Sequence, residues 1–202
     1  NAWNFAGIDS NGDIQSVWIN PAKFDLWRTD NLSNITGAPA LSGQLSVTLT
    51  SWSAINLGGV NEAGRLVVTW WIPSFGGKWV TSDLTNASGG GSLQPGRVTG
   101  FVTPWGAINY AGLNGDGEVV AIWWTPQSGG WRVSSLSSAI DSEAPRPVAG
   151  LVGHVAESGA MSVLGTSDLG HVVRLWWGPG QSLGQVADLT GAPGRTSAPT
   201  PR

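Results

Sequence analysis

Apolar and polar positions follow one order four times along this chain. In the stretch 54–85 the order reads as an apolar-rich strand, Ala54 to Val60, a polar break, Asn61 to Gly64, and then an almost unbroken apolar run, Leu66 to Trp71. A second break at Pro73 follows, and the unit ends with a short segment from Trp79 to Asp83-Leu84-Thr85. The same order recurs from Gly7 to Pro21, from Gly112 to Pro126 and from Gly165 to Pro179. Trp18, Trp70, Trp123 and Trp176 mark it at intervals of 52, 53 and 53 residues. A steady period of about 50 residues predicts repeated supersecondary units, stacked or arranged in a ring.

Each unit divides into four short strands. Three first strands are visible, in the second, third and fourth units: Leu45 to Thr50, Val98 to Thr103 and Leu151 to Ala156, small and β-branched as an innermost strand near a crowded axis requires. The second strands are Ala2 to Ile8, Ala54 to Val60, Ala107 to Leu113 and Ala160 to Thr166. Each runs into a hairpin turn with a polar first residue and a terminal glycine: Asp9 to Gly12, Asn61 to Gly64, Asn114 to Gly117 and Ser167 to Gly170. Glycine there supplies a positive φ without steric cost. The third strands are apolar on both faces, which predicts burial on both faces and so a sheet sandwiched between neighbours. The fourth carry Trp27, Trp79 or Trp131; the last unit has the Gly-rich Gly180 to Gly184 instead.

Four-stranded sheets repeated at this period predict an all-β fold, a β-propeller of four visible blades over approximately 1–39, 40–90, 91–140 and 141–193, with residues 194–202 a Pro/Ser/Thr-rich linker or closing strand. The first unit starts at its second strand. Ring closure therefore calls for a strand from elsewhere, either Thr196 to Thr200 or part of a longer chain.

Composition narrows the picture. Apolar residues make up 41% and charged residues 11%, enough for a sizeable core and against general disorder. The net charge is −3 and the ten Lys and Arg are spread singly, which argues against a nucleic-acid partner. There is no cysteine, hence no disulfide framework, thiol nucleophile or thiolate metal site. No run of about 18 apolar residues predicts membrane insertion, and the N-terminus shows no secretory leader.

The skeleton resembles that of fucose-binding propeller lectins: a first strand ending in Trp, an Ile-centred second strand, a Gly-ended hairpin, a Trp-bearing third strand and a Gly-Trp, best seen over Ser46 to Trp79 and Thr99 to Trp131. The resemblance implies a propeller and, more loosely, a lectin role. In those lectins an Arg after the strand-two Ile and a Glu two residues before the strand-three aromatic pair hold the sugar. Those positions here are Asn4, Asn56, Asn109 and Ser162, and Ser16, Val68, Ala121 and Arg174, so the fucose pocket does not carry over and free fucose is not expected to bind.

The pairs Trp70-Trp71, Trp123-Trp124 and Trp176-Trp177 point to opposite sheet faces and are expected to pack between blades. Roughly 200 Å² of burial per indole at about 25 cal/mol/Å² accounts for them without a ligand, on the order of 5 kcal/mol each as an upper bound. Trp52 and Trp105 differ, since they lie on the turn between first and second strands, where binding residues collect, and are followed by Asn56 and Asn109. We expect Trp52, Asn56, Trp105 and Asn109 to form ligand sites, an indole face for stacking beside an amide for orientation; packing at a seam between blades is the alternative. Asp9, Asn11 and Asp13 have calcium-loop spacing but lack the distal Glu, with Asn20 in its place, and read as a plain hairpin. His154 is expected to be an interior histidine, and Arg174 to pair with Asp188 or Asp168. No catalytic constellation, metal site or cofactor is expected. The sequence thus predicts a non-catalytic binding module, extracellular or on a cell surface, with a glycan as ligand. The alternative is a scaffold or protein-interaction domain of a larger surface or secreted protein.

Overall fold

The computed structural model describes residues 3–23, 26–138, 140, 144–178 and 184–190, with the backbone of 196–197. Its strands form four antiparallel sheets in chain order. The first holds β1 (Trp3–Ile8), β2 (Ile14–Ile19) and β3 (Arg28–Asn31), and the second β4 (Ser42–Leu49), β5 (Ile55–Val60), β6 (Leu66–Trp71) and β7 (Trp79–Asp83). The third holds β8 (Leu93–Val102), β9 (Ile108–Asn114), β10 (Val119–Trp124) and β11 (Arg132–Ser135). The fourth holds β12 (Ala149–Val155), β13 (Met161–Thr166), β14 (Val172–Trp177), β15 (Gln185–Asp188) and β16 (Thr196–Ser197). This is the repeated-blade architecture of a β-propeller, and among the described residues no strand pairs the first sheet with the fourth.

The hairpins form as their residues dictate. The first side chain of each turn accepts from the backbone N–H four residues on: Asp9 from Asp13, Asn61 from Arg65, Asn114 from Glu118 and Ser167 from His171. The glycine of each turn lies in the left-handed region, φ 84, 76, 75 and 78°. Asp9 and Asp13 are thereby committed to the turn, with Asp9 also taking the Gln15 amide and Asp13 the Asn31 amide.

The ends of the fourth strands differ from an all-β expectation. Leu32–Thr36 (α1) and Leu84–Ser88 (α2) are single-turn helices, capped by the Asn31 and Asp83 side chains and stopped by left-handed Gly37 and Gly89. The recurring Asp-Leu-Thr has a further role. Its hydroxyl residue accepts from the first N–H of the third strand in every sheet: Ser33 from Ile14, Thr85 from Leu66, Ser137 from Val119 and Thr190 from Val172.

Three clusters of buried residues lie between sheets. Ile14, Leu32 and Leu41 meet Leu57 and Val67 between the first and second sheets. Val60, Leu66, Val68 and Leu84 meet Tyr110 and Ile122 between the second and third, and Ala111, Leu113 and Val119 meet Val163, Val173 and Leu175 between the third and fourth. Inner strands touch directly: Gly100 N–H donates to Ser46 Oγ at 2.6 Å and Gly153 N–H to Thr99 Oγ1 at 2.8 Å. A Cβ at Gly100 would stand 2.7 Å from Thr48 Cγ2, and one at Gly153 would stand 2.2 Å from Phe101, so only glycine admits this approach.

The first and fourth sheets each keep one face uncovered among the described residues. β1 pairs with β2 alone, and Phe5 is 62% exposed where its register counterparts Leu57, Tyr110 and Val163 are 2, 0 and 0% exposed. Thr196–Ser197, expected as a closing strand for the first sheet, pairs instead with β15 at the outer edge of the fourth. The expected Gly-rich replacement over 180–184 lies, save Gly184, outside the described residues, as do Ala2, Pro179 and the rest of 191–202.

Candidate functional site

Trp52 and Trp105 sit on equivalent turns. Ser53 N–H bonds Thr50 carbonyl and Gly106 N–H bonds Thr103 carbonyl, while the Thr50 and Thr103 hydroxyls accept from Ala54 and Ala107 N–H. The turn requires a positive φ at its fourth residue. Gly106 meets that at 84° without strain, and Ser53 adopts 65°, the only non-glycine in that region among the described residues. The turns hold their indoles out, Trp52 at 41% and Trp105 at 48% exposure.

Trp52 also bridges to the next sheet. Its ring meets Trp124 edge to face at 6.4 Å between centroids, and a Cβ on Gly106 would come 3.1 Å from it. Trp52 therefore lies at the seam between the second and third sheets with part of its indole surface exposed.

Asn56 and Asn109 are placed differently from the indoles. Each is 7% exposed. Asn109 Nδ2 donates to Ala107 carbonyl at 3.3 Å, whereas Asn56 Nδ2 has no partner among the described residues. Thr48, Asn56 and Trp70 share one row across β4, β5 and β6, on the face that meets Tyr110. Tyr110 is fully buried and its ring passes Gly58 so closely that a Cβ there would lie 2.3 Å away. Its hydroxyl, Thr48 Oγ1 and Asn56 Nδ2 are all buried without a well-formed hydrogen bond to any described residue. Burial pushes the Tyr110 phenol far above its ordinary value of 10.0, and nearby Thr48 opposes this only in part.

The paired tryptophans are partly rather than fully buried. Trp70, Trp124 and Trp177 pack against the clusters between sheets. Trp18, Trp70 and Trp123 donate their indole N–H to the outer strand, to Asp30 at 2.6 Å, Ser82 at 3.1 Å and Ser134 at 3.0 Å. Two polar residues depart from expectation. His154 is exposed rather than interior, because the fourth sheet's face is open. Arg174 bonds Ser162 Oγ instead of a carboxylate, and Asp188 bonds His171 Nδ1 at 2.6 Å. Sequence proximity hid the Ser162 contact, which adjacent register on β13 and β14 creates.

At the opposite end of the sheets a groove of about 510 Å³ opens between the first two hairpins, lined by Asp9, Asn11, Leu41 and Glu62 among others. Among the described residues no group of three or more His, Asp or Glu is arranged to hold a metal ion. No described helix is long and apolar enough to cross a membrane.

No protein-family model matches the chain, and no curated protein matches it by sequence. Solved structures do. The BP39L lectin from Burkholderia pseudomallei superposes with a TM-score of 0.66 at 14% identity, covering 100% of this chain and 66% of that one. The fucose-specific lectin from Aleuria aurantia gives 0.56 at 12% identity, over 99% of this chain and 62% of that one. The Hadza microbial sialidase Hz136 gives 0.54 at 10% identity, over 95% of this chain and 44% of that one. The chain thus spans less than two-thirds of the length of each of these proteins. At such identities the likeness is one of fold: the chain has the β-propeller architecture of fucose-lectin structures, and a sialidase shares it.

Proposed function

We propose that the chain is a non-catalytic, glycan-binding propeller module, working outside the cell or at its surface. The observation that carries this reading is the pair of equivalent turns that hold Trp52 and Trp105 out at 41 and 48% exposure. An indole so placed offers a flat apolar surface to the C–H face of a sugar ring, and polar groups near it orient the hydroxyls. Asn56 and Asn109 are each only 7% exposed, and Asn109 spends its amide on Ala107 carbonyl, so the exposed indoles rather than the two amides supply the binding surface. Lectins are among the structural neighbours, which supports this reading.

A glycan array with the intact chain tests it, followed by calorimetry on the best glycan. Trp52→Ala and Trp105→Ala together should abolish binding with little loss of stability. A folded double variant that binds as tightly as the parent overturns the assignment. A second reading, a protein-interaction scaffold, is favoured by the open face of the first sheet, where Trp3, Phe5 and Trp27 are 62, 62 and 49% exposed. An empty array alongside specific capture of a protein that Phe5→Ser abolishes would favour the scaffold.

A further inference from the structure

The uncovered face of the fourth sheet carries a donor set that the other sheets lack. Strand pairing aligns His154, Ser162 and Trp176 in one row across β12, β13 and β14. Val152, Leu164, Arg174 and Ala187 form the adjacent row on the same face. At the Arg174 position the second and third sheets have Val68 and Ala121. At the Ala187 position they have Ser82 and Ser134, whose hydroxyls take the indole N–H of Trp70 and Trp123. Ala187 has no side-chain acceptor, so the fourth sheet leaves its indole N–H without that partner and adds a guanidinium beside it.

That guanidinium is fixed in place. Arg174 Nε and Nη2 both donate to Ser162 Oγ, at 2.9 and 2.8 Å, and Cζ stands 5.2 Å from the centroid of the Trp176 ring. Ser162 is fully buried, which anchors the oxygen. A hydroxyl orients a guanidinium but does not neutralise it, and among the described residues no carboxylate bonds Arg174. Asp188, one of the two acids expected there, bonds His171. Arg174 therefore presents a standing positive charge, partly withdrawn from water, with its Nη1 uncommitted among the described residues. The exposed imidazole of His154 lies in the adjacent row.

We propose that this face binds an anionic substituent on a saccharide, a carboxylate or a sulfate ester, through Arg174 with the Trp176 indole N–H as second donor. The anion follows from the geometry; that it is borne by a sugar rests on the glycan-binding reading above. A guanidinium already held by two hydrogen bonds and a stacked indole loses little further freedom on closing around an oxyanion, and its planar fork suits carboxylate and sulfate alike. Ser16, Val68 and Ala121 give the other three sheets no such charge, so the specificity belongs to the fourth blade alone.

The test is an NMR titration of the intact chain, following indole N–H resonances, with Trp176 assigned by its loss in Trp176→Phe. Methyl glucuronide should shift the Trp176 resonance saturably and methyl glucoside should not. A sulfated glucose beside the glucuronide shows which oxyanion is preferred. Arg174→Gln should weaken glucuronide binding about tenfold or more, the scale of losing a charge-assisted contact. If that variant does not fold, Arg174→Lys, which keeps the charge but not the two-nitrogen grip on Ser162, should bind measurably more weakly. Equal response to methyl glucoside, or glucuronide affinity unchanged in either variant, overturns the site. Acetate binding as tightly as glucuronide overturns the saccharide part. Trp52→Ala with Trp105→Ala should leave glucuronide binding intact. A chain that binds neutral glycans but ignores glucuronide therefore refutes this site alone, and the reverse result refutes the Trp52 and Trp105 assignment alone.

Discussion

The seam between the second and third sheets and the open face of the fourth are built on one register and use it in opposite ways. In the seam, Thr48, Asn56 and Trp70 face Tyr110, whose ring is enclosed by Gly58 and Gly100, and polar atoms are shut away from water. On the fourth sheet the same row is His154, Ser162 and Trp176, with Arg174 beside it and no covering sheet among the described residues. Strand pairing fixes where these side chains stand. What covers them decides whether a row is core or an interacting surface, and the residue chosen at one position, Val68 or Arg174, follows that environment.

The sharpest break in this comparison comes from Tyr110→Ala, which removes the wedge of the seam and should cost about 3–5 kcal/mol in urea unfolding. Arg174→Ala, on the open face, should cost about 1 kcal/mol or less. Similar losses would mean that the fourth face is packed like the seam. The recurrent hydroxyl bond gives a finer version. Thr85→Ala should destabilise by about 1–2 kcal/mol because its bond to Leu66 N–H is buried, and Thr190→Ala, whose bond is exposed, by less than about 1 kcal/mol.

Tyr110→Phe sharpens the comparison in the other direction. Its hydroxyl is buried without a well-formed partner, so removing it should leave stability unchanged or raise it by up to about 1 kcal/mol. It should also change the alkaline limb. The folded-state phenol titrates above its ordinary 10.0, so as pH rises past that value the unfolded chain releases a proton that the folded chain retains, and stability falls. The parent should lose stability above about pH 10 with a one-proton slope that Tyr110→Phe lacks. The smallest effect is at Asp9. The Gln15 amide, then the Asn11 and Asp13 N–H groups, hold its carboxyl below its ordinary 3.8. Its contribution is complete above that pH and fades as pH falls through the lower folded-state value, so Asp9→Asn should differ from the parent near neutrality and converge with it in strong acid.

Much of this architecture was legible because its signals are local. Asp9 to Gly12 and its three counterparts specify a hairpin through a side-chain acceptor and a left-handed glycine within five residues, and the Trp spacing carries the repeat. The helices at Leu32 and Leu84 escaped because one turn shows no periodicity; only the pairing of an Asn31 or Asp83 cap with Gly37 or Gly89 marks them. The expectation for Arg174 went to the wrong partner because its contact with Ser162 depends on strand register rather than sequence distance. His154 aligns with Thr48 and Phe101 on an inner strand, a position that predicts burial only where a further sheet covers it. The exposure of Trp52 and Trp105 follows from their turn position, whereas the burial of Asn56 and Asn109 depends on the next sheet lying against them.

Among the described residues the bonds that join one sheet to the next run between sequence neighbours, as in Leu41 N–H to Gly12 carbonyl, Leu93 N–H to Gly64 carbonyl, Gly100 to Ser46 and Gly153 to Thr99. Coupling of this kind is nearest-neighbour, as in a linear array, so the free energy of the chain is close to a sum of blade and seam contributions. Ordering can start at any hairpin and spread to the neighbouring sheet. A gene encoding such a chain can gain or lose a whole unit by unequal recombination at the 52- to 53-residue period while disturbing one seam. A charge such as Arg174 can then arise in one blade without the other blades having to accommodate it.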